Sequence, residues 1–182
     1  MSKERWEIDS SHSSIHFSVR HLMIAKVRGQ FSKWTGTLQV PDGDFRKAGL
    51  RVAIDAASID TGVADRDQHL RSADFFDVEK FPEITFTAGT ITSSGSSRFD
   101  LDGLLTIKGI TQTVTLAVEE AGRATDPWGN TRAVFSAKGS VSRKDFGLTW
   151  NQALETGGVM VGDHIEIEID IEAVKQADAK VA

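Results

Sequence analysis

Histidine and carboxylate side chains are the groups in this sequence that could bind a metal ion. The chain has five histidines and no cysteine, so a transition-metal site would have to use imidazole and carboxylate ligands. His12 and His16 are four positions apart, which on a strand separates them by about 13 Å, at about 3.3 Å per residue. Ligands of one zinc ion each lie about 2 Å from it. The pair would suit a helix and not a strand, so we predict no metal site.

A second group, Arg66, Asp67 and His69, has the composition of an acid–base arrangement, because a carboxylate can orient an imidazole. No Gly-x-Ser-x-Gly motif accompanies it, and such a motif would mark a serine nucleophile. The alternative is structural: the three side chains hydrogen-bond a helical crossover to the rest of the fold, as buried polar groups must. We therefore predict no catalytic residue and a protein that is not an enzyme.

Length and charge exclude several other classes. With 182 residues the chain has the size of one domain, which we place at residues 4–174, with a tail at 175–182. The net charge of −5 and pI of about 5.5 argue against nucleic acid as a partner. We find no apolar segment of the kind that forms a signal peptide or a membrane span, and we expect a cytoplasmic protein.

Alternation of apolar and polar residues dominates the chain. In Ile165–Glu172 four isoleucines alternate with four acidic residues, the pattern of an antiparallel strand with one buried face. Longer strands are predicted at 26–40 and 130–143, where Gly36 and Gly139 mark bulges or bends. Residues 63–72 instead follow helical spacing. The sequence thus predicts an all-β fold, an antiparallel barrel of about eight strands with one or two short helices.

The residues alone do not decide whether the interior of such a barrel is filled. An eight-stranded barrel is either filled by its own side chains or holds one small ligand. The chain has ten phenylalanines and no tyrosine, so most of its aromatic surface carries no hydroxyl group that needs a partner. This composition suits a hydrocarbon-lined tunnel and a filled core equally.

An ordered set of motifs carries a family resemblance. The motifs are His12–Leu22 (HSSIHFSVRHL), Arg66–Ser72 (RDQHLRS), Asp74–Pro82 (DFFDVEKFP), Gly103–Gly109 (GLLTIKG), Val141–Asn151 (VSRKDFGLTWN) and Leu154–Asp163 (LETGGVMVGD). Together they resemble the YceI-like family, also called polyisoprenoid-binding or lipid-binding YceI proteins, from about Trp6 to Ala173.

The resemblance implies a lipocalin-like, extended antiparallel barrel. In the family this barrel is commonly a homodimer, and its apolar tunnel holds a long-chain isoprenoid, such as an isoprenoid quinone, or a similar lipid. Many members carry a secretory signal and work in the periplasm. This chain departs from them on that point, which puts a periplasmic role in doubt and leaves the expected fold unchanged.

We therefore predict non-enzymatic binding, sequestration or transport of such a lipid. The alternatives are an enzyme acting on an isoprenoid or acyl substrate and a ligand-free stress or scaffold protein with a filled core. We place His21, Arg66 and His69 near the polar end of the lipid. The predicted apolar contacts are Phe17, Val19, Phe31, Ile54, Phe75, Phe76, Phe86, Leu101, Leu105, Ile107, Leu116, Phe135, Phe146 and Trp150.

Overall fold

The computed structural model describes residues 2–177 and contains eleven strand segments and one α-helix. The helix, α1, spans Ala64–Arg71. The strands are β1 (Lys3–Ile8), β2 (Ser14–His21), β3 (Ala25–Phe31), β4 (Trp34–Pro41), β5 (Gly49–Asp55), β6 (Ile59–Asp60), β7 (Glu83–Ser93), β8 (Arg98–Ile107), β9 (Ile110–Thr125), β10 (Thr131–Ser142) and β11 (Val161–Lys175).

Six of these segments combine into three long, interrupted strands. Along one side of β11, β1 pairs up to Ile8 opposite Ala173, and β2 continues from Ser14 opposite Asp170. In the same way, β4 pairs with β1 and β3 pairs with β2, so β4 and β3 form the second interrupted strand. The third consists of β5, which pairs with β4, and β6, which pairs with β3. The interruptions are residues 9–13, 32–33 and 56–58.

The resulting eight long strands close into an antiparallel barrel. The ring runs β1-β4-β5-β7-β8-β9-β10-β11 and closes through pairing of β1 with β11. Closure satisfies the backbone groups at what would otherwise be the two edges of the sheet. The predicted lipocalin-like, all-β barrel with a short helix is confirmed.

The strand predicted at 26–40 is divided by a side-chain bridge. Asp55 caps a 3-10 turn at Ala56–Ser58 by accepting a bond from the backbone N–H of Ala57 at 3.0 Å. The Ser58 hydroxyl in this turn accepts a bond from the backbone N–H of Lys33 at 3.1 Å. The Ser58 side chain thus takes the place of a backbone partner for Lys33. The sheet is therefore interrupted between β3 and β4, next to the interruption between β5 and β6.

One end of the barrel is sealed by packed side chains. Phe45, from the turn between β4 and β5, lies edge-on to Trp6 at 5.1 Å and to Phe135 at 4.9 Å between ring centroids. The Arg123 guanidinium lies over the outer side of the same ring, 4.7 Å from its centroid. We call this group the sealed cluster; its buried members are Trp6, Leu38, Val40, Phe45, Ala48, Ala133, Phe135 and Ala173.

At the opposite end, α1 is fastened to the barrel by buried polar groups. The carboxylate of Asp67 accepts bonds from the backbone N–H and the hydroxyl of Thr61, at 2.9 and 2.5 Å. Arg66 donates to the same hydroxyl and to the carbonyl of Thr61, and Arg71 donates to the carbonyl of Ala57 at 2.8 Å. These bonds fit the structural explanation for Arg66 and Asp67, in which their side chains hold the helix to the barrel.

Arg132 joins the start of β10 to three other parts of the chain. Its guanidinium donates to Asp126 at 2.9 Å, to Asp9 at 3.1 Å and to Glu172 at 2.5 Å. Hydrogen bonds from Ser11, His12 and Arg132 hold the pKa of the Asp9 carboxyl well below its usual range. Hydrogen bonds from Asn130 and then Arg132 do the same for the pKa of Asp126.

These lowered pKa values predict a stability that declines in acid. Below pH 4, near the ordinary pKa of 3.8, the unfolded chain binds protons at Asp9 and Asp126 that the folded chain does not, so stability falls as pH falls. Urea unfolding midpoints measured between pH 5 and pH 2 should therefore decline less steeply for Arg132→Gln than for wild type.

Arg51→Gln, a substitution on the exposed side of β5, is the matched control and should keep the wild-type slope. Equal slopes for wild type and Arg132→Gln would contradict the contribution of Arg132 to the stability of the two carboxylates.

Candidate ligand-binding cavity

The interior of the barrel contains a cavity of about 290 Å³. Its wall is made of the inward faces of the strands together with residues of α1 and the segments that follow it. Of the lining residues in the described chain, three carry polar side chains: His16, Ser136 and Arg143. Strand alternation turns His16 and Ser136 away from the interior, and Arg143 lies in the 3-10 turn that follows β10.

The isoleucines of β11 show why this space is a void. Ile165, Ile167, Ile169 and Ile171 all line it, and all four stay partly accessible although they face inward. Side chains in a filled core contact their neighbours on every side and lose their accessible surface. The partial exposure of inward-facing isoleucines therefore reflects the space between the barrel walls.

The cavity is long and narrow. Both Val161 and Ile171 line it, and ten residue steps along a strand span about 33 Å. With a strand tilt of about 40°, this distance corresponds to roughly 25 Å along the barrel axis. A space of about 290 Å³ drawn out over that length fits an extended chain better than a compact ring system.

Aromatic residues that follow α1 form part of the cavity wall at the helix end. Phe75 and Phe76 line it, and Phe76 lies edge-on to Phe31 at 6.0 Å between centroids. Behind Phe75, His69 contacts both the Phe75 and Trp150 rings, at 5.1 and 4.7 Å. The other side of His69 meets the outside of the barrel, where its Nε2 lies 2.8 Å from the Asp74 carboxylate.

Arg143 organises the long segment between β10 and β11. It is 4% exposed, and it donates to the carbonyls of Leu148 and Trp150 at 2.7 and 2.8 Å and to that of Gly162 at 2.8 Å. Burial lowers its pKa, while the nearby Asp163 carboxylate opposes that change. The guanidinium thus gathers carbonyl groups that have no ladder partner, as buried polar groups require.

The candidate acid–base residues lie outside the apolar interior. The Asp67 carboxylate and the Arg66 guanidinium are both bonded to Thr61, and neither residue lines the cavity. Within the described lining, the interior offers apolar walls and one buried cation whose donors already bond to carbonyl oxygens.

Comparison with known proteins identifies the family to which the chain belongs. The family model for the YceI-like domain matches residues 6–173. The chain belongs to the YceI-like family. Protein YceI of Salmonella newport (strain SL254) is 34% identical over 168 residues, a match that covers 92% of this chain and 84% of the relative.

Solved structures share the YceI-like fold. The YceI protein of Campylobacter jejuni aligns with a TM-score of 0.74 and 29% identity, over 87% of this chain and 90% of that one. BcnA of Burkholderia cenocepacia aligns with a TM-score of 0.78 and 22% identity, over 91% and 98%. A polyisoprenoid-binding domain of Saccharophagus degradans aligns with a TM-score of 0.69 and 14% identity, over 94% and 98%. The last two show a common fold.

The YceI-like cavity brings together most of the residues chosen from the sequence. Thirteen of the apolar candidates line it: Phe17, Val19, Phe31, Ile54, Phe75, Phe76, Phe86, Leu101, Leu105, Ile107, Leu116, Phe135 and Phe146. Their contact with a ligand remains a prediction.

The other four candidates lie outside the lining. Trp150 is behind Phe75 and His69, and Arg66 is bonded to Thr61. His21 ends β2, on the same face as Val19 and opposite Val161. It thus stands at the rim of the barrel, the position at which a polar end group was expected.

Many lining residues were not chosen from the sequence, and two groups of them are instructive. The isoleucine face of β11 was recognised as buried but was not included among the ligand contacts. Its four isoleucines are the longest apolar row on one strand, which was the available signal. Arg143 belongs to the motif at Val141–Asn151, but no role was predicted for it. An arginine in a short sequence pattern gives no sign of burial.

The expectation for His12 needs correction. This residue belongs to a 3-10 turn at Ser10–His12 and not to a strand. Ligand-capable atoms of Asp9, His12 and Glu172 lie within 4.8 Å of one another. The Arg132 guanidinium bonds to both of these carboxylates, so a positive charge already offsets part of their charge and opposes a second cation.

Membrane-spanning helices form a separate question. Among residues 2–177, no helix is long and apolar enough to cross a bilayer. The predicted tail begins at Lys175, where β11 ends, and residues 178–182 of that tail lie outside the described residues.

The cavity predicts different costs for one substitution at two inward positions of β10. Ala137 lines the cavity, whereas Ala133 belongs to the sealed cluster and is fully buried. Ala133→Leu should destabilise the fold by about 1–3 kcal/mol through overpacking. Ala137→Leu should cost less, because its added atoms enter an existing space. Urea unfolding of both variants measures the difference.

The two positions share a strand, a face and a substitution, so each serves as the control for the other. Equal destabilisation by Ala137→Leu and Ala133→Leu would show that the barrel is filled at Ala137.

Proposed function

We propose that the protein binds one long-chain lipid, an isoprenoid or a similar hydrocarbon, and keeps it out of water for sequestration or transport. The observation that carries this proposal is the narrow apolar cavity along the barrel axis. A wall made almost wholly of hydrocarbon gives a polar ligand no compensation for its lost hydration, whereas an apolar chain gains by entering it.

The size of the interior supports a useful affinity. Burial of apolar surface contributes about 25 cal/mol per Å². A chain that buries several hundred Å² would therefore gain on the order of 10 kcal/mol before the costs of ordering are subtracted. No single polar contact is needed for such binding, so recognition would depend on the length and width of the chain.

The isoprenoid class is supported by two independent considerations. The cavity is drawn out over roughly 25 Å, which favours an extended chain. A domain of the same fold from Saccharophagus degradans is named as polyisoprenoid-binding, which supports the isoprenoid class by analogy of fold. An isoprenoid quinone would place its ring at the rim, near His21.

Binding without catalysis is part of the proposal. The candidate acid–base residues Arg66 and Asp67 are bonded to Thr61 and lie outside the cavity lining. We further propose a cytoplasmic location and a homodimer, the second from the family resemblance. Cell fractionation and sedimentation would test these two points.

The proposal predicts opposite outcomes for two arginine substitutions on β8. Leu101 lines the cavity, whereas Leu104 is exposed on the outer face. Leu101→Arg should abolish the binding of an added polyprenyl lipid or quinone, because it brings an unpaired charge into a hydrocarbon wall. Leu104→Arg, with the same change of charge, should bind as wild type does. Quenching of tryptophan fluorescence on titration with the lipid measures both.

If a folded Leu101→Arg variant binds like wild type, Leu101 does not line the binding site. Because this variant can also lose stability, Ala137→Trp provides a second test in which a large apolar side chain occupies the cavity. Failure of wild type to bind any such lipid would contradict the proposal itself.

A further inference from the structure

An apolar surface is exposed at the turn between β2 and β3. Leu22, Met23 and Ile24 form the tip of this hairpin, and Ile24 is 81% exposed. Such turn positions are usually filled by Gly, Asn or Asp. Leu22 and Met23 moreover have positive φ angles of 53° and 64°, a conformation that side chains with a Cβ atom rarely adopt.

The neighbouring segment extends this surface. The backbone N–H of Leu22 donates to the carbonyl of Met160 at 2.8 Å, which holds the hairpin against the segment that precedes β11. Val159, in that segment, is also exposed. We call Leu22, Met23, Ile24 and Val159 the tip patch.

Positive charge flanks the tip patch. Residues 14–31 contain three basic residues, Arg20, Lys26 and Arg28, and no acidic one, in a chain whose net charge is −5. Arg20 and Lys26 lie directly opposite each other on β2 and β3, although like charges in this position repel. Within residues 2–177, Lys26 alone of the three makes an ion pair, with Glu166 at 3.1 Å.

The tip patch is continuous with the cavity. Val19, three residues before Leu22, and Val161, two residues after Val159, both line the interior. The opposite end of the barrel is closed by the sealed cluster. A hydrocarbon chain leaving the cavity at the hairpin end would therefore emerge beside exposed apolar side chains.

We propose that the tip patch and its basic flank dock on an anionic lipid bilayer, where the protein exchanges its lipid. Charge and polarity together identify this partner. Aliphatic side chains bordered by basic residues match the apolar interior and the negative surface of such a membrane. This inference rests on the proposed lipid-carrier function, since it assigns the place where the lipid enters and leaves.

The test is flotation of the full chain with vesicles of phosphatidylcholine, with or without phosphatidylglycerol. Wild type should bind the vesicles that contain phosphatidylglycerol, and added salt should weaken the binding. Ile24→Asp should lower the partition coefficient at least tenfold, because a charge replaces an inserted aliphatic side chain. Arg20→Gln should lower it about fivefold, the equivalent of about 1 kcal/mol for one basic residue near an anionic surface.

Val134→Asp is the matched control, because Val134 is an exposed aliphatic residue on β10. It introduces the same charge outside the tip patch and should leave vesicle binding unchanged. The docking proposal is overturned if wild type does not bind anionic vesicles, or if Ile24→Asp and Val134→Asp reduce binding equally. It is also overturned if the hairpin instead joins two copies of the chain, seen as a dimer that Ile24→Asp dissociates without any vesicle binding.

Lipid delivered from solution separates this proposal from the carrier function. Ile24→Asp should bind an added polyprenol as tightly as wild type, since the cavity is unchanged. Wild type that binds polyprenol but not vesicles would contradict docking alone. Wild type that binds anionic vesicles but no polyprenol would contradict the carrier function, and with it the exchange role of the tip patch.

Discussion

The closed ladder of backbone hydrogen bonds is the constraint on which the rest of the structure depends. Pairing of β1 with β11 completes a ring of eight long strands, and this ring does not need side chains to fill all of the space between opposite walls. In a core of packed helices an equal void would draw the elements together. The barrel can keep an apolar interior that is not filled, and a cavity of about 290 Å³ remains.

Polar side chains are used where the ladder ends or is interrupted. Arg143 gathers the carbonyls of the segment before β11, and Arg132 binds three carboxylates where β10 begins. Asp67 and Arg66 fasten α1 where β6 ends. Each group provides partners for backbone groups or charged side chains near an end of the barrel. The middle of the cavity is therefore left to hydrocarbon side chains. This division explains how a chain with many charged residues can present so apolar an interior.

Much of the fold could be predicted because a half-buried strand leaves a direct trace in the sequence. The alternation in Ile165–Glu172 identifies which face of β11 is buried, and β10 follows the predicted strand at 130–143 to within a residue or two. The interruption at Ser32–Lys33 could not be predicted in this way. It depends on a hydrogen bond from the Lys33 backbone N–H to the Ser58 hydroxyl. The two residues are far apart in the sequence, and a local alternation pattern does not predict their contact.

The candidate site divides in the same manner. Inward phenylalanines such as Phe17 and Phe86 could be selected from alternation alone, and they line the cavity. The existence of a void could not be, because it depends on the diameter of the closed ring and not on any local pattern. Arg143 was unpredictable for a related reason: its burial follows from carbonyls that only the folded chain brings together.

The central claim is that the cavity is occupied by one lipid chain. Mass spectrometry of the organic extract from protein purified out of its native cells tests this claim most directly. We expect one apolar long-chain lipid, an isoprenoid or a similar molecule, in stoichiometric amount with the protein. An extract without stoichiometric lipid, from protein that also fails to bind added polyprenyl lipids or quinones, would contradict it.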